Sequence, residues 1–275
     1  MPSLKSRLDR LLREQDPIAR READPVAFVH RFARVQDQEI VGLIASLLAF
    51  GNIVAVQKSI ARVLDVLGPE PARGAERSRR SLRAGLKGFV HRVYRGDHLA
   101  DLIYNAGRLQ REAGTLGDAF AFELERASFR DALAAFANAL RRPARGVPSR
   151  NMRHLVPDPH AGSACKRLLL YLRWMVRPAD GVDLGLWPVE PAQLVVPVDT
   201  HIQRIAHNLR LTERKDASWR TAEEITAALR RFDPHDPVKY DFALCHLGVS
   251  RACPSKRSDD ACAACVLQPA CRHWT

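Results

Sequence analysis

A chain of 275 residues with 46% hydrophobic composition is long enough to bury one or two cores of ordinary size. Its formal net charge of +12 favours a polyanionic partner, most simply nucleic acid. Only seven of its 43 basic side chains are lysine, however, and so many arginines beside abundant alanine are equally what a compositionally biased genome produces. No run of about 18 apolar residues occurs, and the opening MPSLKSRLDRLLREQDPIAR has no apolar stretch. A membrane span and a secretory signal are therefore not expected, and the expected location is cytoplasmic, on the nucleoid if the source is bacterial.

Taken in chain order, helical spacing dominates. From Glu39 to Leu67, Ile40, Leu43, Ile44, Leu47 and Leu48 recur at three- and four-residue steps, Gly51-Asn52 interrupts, and Ile60, Val63, Leu64 and Leu67 resume the pattern until Gly68-Pro69 ends it. The polar, basic stretch from Pro69 to Arg83 reads as a loop. Helical patterns follow over about His98–Glu112 and Phe120–Leu140, and the run RRPARGVPSR from Arg141 to Arg150 reads as a basic connector. Ser163 to Val176 carries another helical face. The segment RPADGVDLGLWPVEPAQLVVP, Arg177 to Pro197, breaks it with prolines and glycines and reads as a loop with one short extended piece. Helices are expected after Asp199, over Thr221–Arg231 and over Pro237–Leu247. No strand signal is convincing, so the expected class is all-α.

Four of the six cysteines crowd the tail as C-x8-C-x2-C-x5-C: Cys253, Cys262, Cys265 and Cys271. In a reducing compartment such clusters are more often metal ligands than disulfides. One tight pair with two flanking thiols fits the four thiolates of a [4Fe-4S] cluster, and four thiolates fit zinc as well, so spacing alone leaves both open.

The tail FALCHLGVSRACPSKRSDDACAACVLQPACRHW resembles the C-terminal iron–sulfur loop of the endonuclease III and adenine DNA glycosylase family, within the helix-hairpin-helix glycosylase superfamily. The last two cysteine gaps match that family and the first is longer. VPVDTHIQRIAHNLRLT, Val196 to Thr212, is similar to the segment carrying the family's catalytic aspartate, which falls on Asp199; an Asp directly before a helix is also an ordinary N-cap. HAGSACKRLLLYL, His160 to Leu172, falls where the family has its hairpin. Gly162 matches the first hairpin glycine, Ala164 replaces the second, and Lys166 stands at the catalytic lysine. The helix pair around Gly51-Asn52 also looks like the family's first barrel helices, with Asn52 nearest the residue inserted into the DNA stack.

The resemblance implies a two-lobed all-α glycosylase fold, with a helical barrel over 37–177 and a discontinuous domain of 1–36 plus 178–275 that carries the cluster loop. It implies a monomeric base-excision enzyme acting on lesion-containing duplex DNA, with Asp199 and Lys166 catalytic and facing one cleft. Lys166, deprotonated by burial and neighbouring cations, would form a Schiff base and permit strand cleavage. Asn52, Gly162, Ser163, Ala164, His201 and Arg204 would meet the nucleic acid, and Arg251, Lys256 and Arg257 of the cysteine loop could face phosphate. The insertion around Trp187 could shape a base pocket or act as a wedge. A non-catalytic protein binding DNA or RNA on the same fold is the alternative.

Overall fold

A computed structural model describes residues 3–250 and 252–274 of the chain. Its helices start where short polar side chains can cap them. Ser3 opens α1 (Leu4–Glu14) and Asp16 opens α2 (Pro17–Arg21), and a 3-10 turn over Pro25–Arg31 follows. Next come α3 (Val35–Leu48) and α4 (Ile53–Leu67), the latter capped by the Asn52 side chain. The stretch expected to be a loop contains α5 (Pro71–Ala75) and α6 (Arg79–Gly85). Its charged composition hid them, because Pro71 and Ser78 initiate helices so short that no apolar period develops.

A two-residue antiparallel pair, β1 (Val90–His91) and β2 (Tyr94–Arg95), precedes α7 (Gly96–Ala113). The pattern read as one helix over Phe120–Leu140 is two, α8 (Leu116–Leu124) and α9 (Phe129–Leu140), divided where Ser128 caps the second. Then follow α10 (Arg150–Leu155), α11 (Lys166–Val176), α12 (Thr200–Asn208), α13 (Trp219–Arg230), α14 (Asp241–Val249) and α15 (Asp259–Ala263). Among the described residues the two short strands are the whole of the sheet structure, so the all-α class holds. None of the described helices is long and apolar enough to cross a membrane.

The centre is the packing of α3 on α11. Residues 39–48 of α3 are buried throughout, and Gly42 lets the helices close: a Cβ there would stand 2.8 Å from Met175 Cε. The 3-10 turn at 25–31 packs on α3 as well, so the core is continuous across the boundary expected at residue 36. The C-terminal end of α3 lies beside the N-terminal end of α11, where Arg167 donates to the Leu47 carbonyl at 2.6 Å. That crossing sets residues 49–51 next to Lys166.

The insertion from Arg177 to Pro197 contains no strand and one 3-10 turn, Pro191–Gln193. It is anchored to the core. Trp187 is 5% exposed, packs against Phe120, Phe136 and Tyr171, and donates its indole N–H to Glu39 Oε1 at 2.8 Å. Trp187 is therefore a core residue rather than a wedge or the wall of a base pocket. A buried ion network fixes the rest of the insertion: Arg173 donates to Asp183 and Asp241, and Arg177 donates to Asp183 and Asp236. Removing one partner from such a network leaves an uncompensated buried charge, costing about 3–5 kcal/mol.

Candidate active site and cysteine loop

The turn before α11 bends through two left-handed residues. Gly162 has φ 84°, which glycine adopts without strain, and Cys165, the N-cap, has φ 49°. Ala164, where the resemblance wanted a second glycine, is not one of the left-handed positions; its buried side chain packs inward. The turn is held by Ser163 Oγ accepting from Cys165 N at 3.1 Å and by Trp219 N donating to the Gly162 carbonyl at 3.2 Å. Lys166 is thereby the first residue of its helix.

Asp199 caps α12. One carboxylate oxygen, Oδ1, accepts from the backbone N–H groups of His201 and Ile202, each at 2.9 Å. The other, Oδ2, stands 3.5 Å from Lys166 Nζ and 4.0 Å from the Cys245 thiol. The cap and the cleft-facing group are thus the same carboxylate, with an oxygen for each task. Both side chains line a cavity of about 850 Å³, together with Phe50, Gly51, Arg141, Arg153, His154, Ser163, Ala164 and Arg167. The two candidates therefore meet in one cationic cleft.

The surroundings of Lys166 differ from those expected. Burial pushes its pKa down, but the carboxylates of Asp199, Asp241 and Asp24 outweigh it, so the net shift is upward. Lys166 is held as an ammonium ion, and neighbouring cations do not deprotonate it. Burial raises the Cys245 thiol to about 12, so it is a neutral neighbour.

The remaining expected contacts divide. Ser163 and Ala164 line the cavity, with exposed Gly162 beside them. Asn52 is exposed, but its Oδ1 is spent on the backbone of Val54 and Ala55 at the start of α4. His201 and Arg204 are not among the cavity's lining residues: His201 lies over Gly248 of α14, and Arg204 donates to the Cys253 carbonyl at 2.8 Å. Sequence reasoning missed Phe50, Arg141, Arg153, His154 and Arg167. Only Arg167, next to Lys166, had a positional signal; the others lie 12 or more residues from Lys166 in the chain and reach it only in the fold.

The four tail cysteines, with no disulfide between any of them, line a second cavity with Ile205, Leu209, Leu247, Leu267 and Trp274. Burial raises the Cys253 and Cys265 thiols, and the other tail sulfurs raise Cys253 further. Around them are buried donors with no acceptor: Arg204 Nη1, Arg272 Nε and Trp274 Nε1. Orphaned N–H groups near four thiols that line one cavity fit a group that carries negative charge on sulfur, as a thiolate-bound iron–sulfur cluster does. Among the described residues no three His, Cys, Asp or Glu side chains are gathered tightly enough to chelate one ion. Lys256 lines the cysteine cavity, Arg257 stacks on Trp274 at 3.8 Å and pairs with Asp259, and Arg251 lies outside the described residues.

Fold and site together define a helical protein with a cationic cleft built round a lysine–aspartate pair. The chain belongs to the family described as protein of unknown function (DUF2400), which matches residues 24–250. That stretch includes Lys166 and Asp199 and stops before Cys253. No curated protein and no solved structure matches the chain.

Proposed function

We propose that the chain is a base-excision glycosylase of the helix-hairpin-helix type acting on duplex DNA, with Asp199 as its catalytic carboxylate. The observation that carries this reading is the 3.5 Å approach of Lys166 Nζ to Asp199 Oδ2 on the wall of one basic cleft. A base inside a duplex is out of reach, so the nucleotide is flipped into the cleft at a cost of a few kcal/mol, lowest for damaged bases. Asp199 stabilises the positive charge that develops on the sugar as the glycosidic bond breaks. The base leaves with the bonding electrons, water adds at C1′, and its proton passes to the carboxylate. Because its neighbours keep Lys166 protonated, the water route is the main one, and the ammonium offers a hydrogen bond to the departing base or an adjacent phosphate. Attack by the neutral amine, giving a Schiff base and strand cleavage, is the minor route.

Cys253, Cys262, Cys265 and Cys271 would hold a [4Fe-4S] cluster, with zinc the other ion that four thiolates suit. Its role is structural, pinning the tail to α12 through Arg204; excision needs no electron. One observation favours the second reading, binding without catalysis: Asp199 is already satisfied by its cap and its ion pair. A panel of lesion-bearing duplexes, scored separately for base release and nicking, decides between them. Base release by the wild type that Asp199→Asn abolishes, with DNA binding retained, supports the enzyme. Binding with no release on any lesion leaves the binding protein.

A further inference from the structure

Behind the cleft wall runs a hydrogen-bond chain whose direction can be worked out from its donors. Arg167 Nη1 donates to the Tyr94 hydroxyl at 2.6 Å, and a guanidinium has no lone pair with which to accept. Tyr94 is 0% exposed, so its own proton needs an acceptor inside the protein. Among the described residues that acceptor is His154 Nδ1, 2.7 Å away. The lone pair of Nδ1 is therefore in use and the ring proton sits on Nε2. Desolvation, followed by Arg167 and Arg150, lowers the pKa of this imidazole, which keeps it neutral. Nε2 has no hydrogen-bond partner among the described residues, and His154 is exposed on the wall of the cleft.

Beside it stands Phe50, its ring centroid 5.6 Å from that of His154. A second histidine fixes Phe50: His91 Nε2 reaches the Phe50 carbonyl at 3.1 Å while its Nδ1 meets Ser59 Oγ at 2.8 Å. Arg141, Arg153 and Arg167 line the same cavity, so it does not lack cations for phosphate. What His154 adds is one uncharged, directional N–H next to an aromatic ring.

We infer that His154 is a specificity-determining residue, whose Nε2–H donates to a hydrogen-bond acceptor on the edge of the everted base, next to Phe50. The substrates favoured are then bases presenting a carbonyl oxygen at that edge, as uracil and hypoxanthine do, over the amino-bearing cytosine and adenine. An amino group would set one N–H against another and leave both unpaired. This rests on the base-excision reading of the cleft.

Two measurements test it. Imidazole nitrogen NMR of the free full-length protein should show His154 neutral with its proton on Nε2 near pH 7; a proton on Nδ1 overturns the inference with no nucleic acid involved. Fluorescence anisotropy, with Asp199→Asn present throughout to prevent turnover, compares duplexes differing at one base: hypoxanthine against adenine, and uracil against cytosine. A preference of about tenfold or more for the carbonyl base is expected, collapsing toward unity in His154→Leu and partly kept in His154→Gln, which retains an N–H donor. An unchanged ratio in His154→Leu overturns the inference alone. So does an equal loss on every duplex with a shallower salt dependence, which would make His154 a phosphate contact. A wild-type chain that binds no duplex at all brings down the cleft reading, and this one with it.

Discussion

Lys166 illustrates how the identity of a residue and its state can separate. Its place at the start of α11, facing Asp199, is what the resemblance implied, but three carboxylates hold it as an ammonium. A nucleophilic amine must be neutral, and below the pKa of the group its neutral fraction grows tenfold per pH unit. Borohydride trapping on abasic DNA is therefore expected to rise about tenfold for each pH unit between 6 and 8. Asp199→Asn removes the nearest carboxylate, so the same rise should begin at lower pH, while Lys166→Ala should not trap. A flat profile in the wild type would assign the trapping to another amine. Asp9 has the opposite shift: hydrogen bonds from Lys5 and then from the Tyr240 hydroxyl lower its pKa. A depressed carboxylate contributes stability above its unfolded pKa and loses it as pH falls through the folded one. The Asp9–Tyr240 tie between α1 and the C-terminal segment should therefore weaken below about pH 4. Asp9→Ala should cost about 1–3 kcal/mol at pH 7, because the buried Tyr240 hydroxyl loses its acceptor; urea denaturation at the two pH values measures both.

At the scale of elements, the insertion between α11 and α12 is the informative case. As a string of prolines and glycines it looked like a surface loop available to a ligand. Its one tryptophan instead closes the contact between α8, α9 and α11, against Gly117, where a Cβ would stand 2.6 Å from the indole. Trp187→Ala should therefore destabilise the fold by about 3–5 kcal/mol in urea denaturation. Trp187→Phe, which keeps the ring but loses the hydrogen bond to Glu39, should cost less. Neither should alter the preference among bases. A change in base preference with little loss of stability would return the insertion to the binding pocket.

For the whole molecule, the surplus of positive charge and the cysteine loop each make a claim. Duplex binding should weaken steeply as salt rises, because arginine–phosphate contacts release counterions; affinity that is flat with salt would dissociate the +12 charge from the cleft. Anaerobically purified protein should carry about four iron atoms per chain. Cys253→Ser should lose the iron and loosen the tail, whereas Cys245→Ser, which lies beside Asp199, should keep it. Stoichiometric zinc without iron would replace the cluster with a single ion.

The sequence by itself determined the helical class, most of the long helices and the two carboxylate and amine positions. Those depend on local information: apolar spacing of three and four, Ser, Asp or Asn ahead of a helix, and a run of residues resembling a known site. The short helices α5 and α6 escaped because two turns are too few to display a period. The break between α8 and α9 escaped because the four residues that separate them, Glu125 to Ser128, include no proline or glycine to mark it. Only the tertiary structure decided the rest. It turned Arg204 toward the cysteine loop, buried Trp187, surrounded Lys166 with carboxylates and brought Phe50, His154 and Arg167 onto one wall. Burial, the sign of a neighbouring charge and the direction of a hydrogen-bond chain are properties of residues brought together from distant parts of the chain, and no local pattern encodes them.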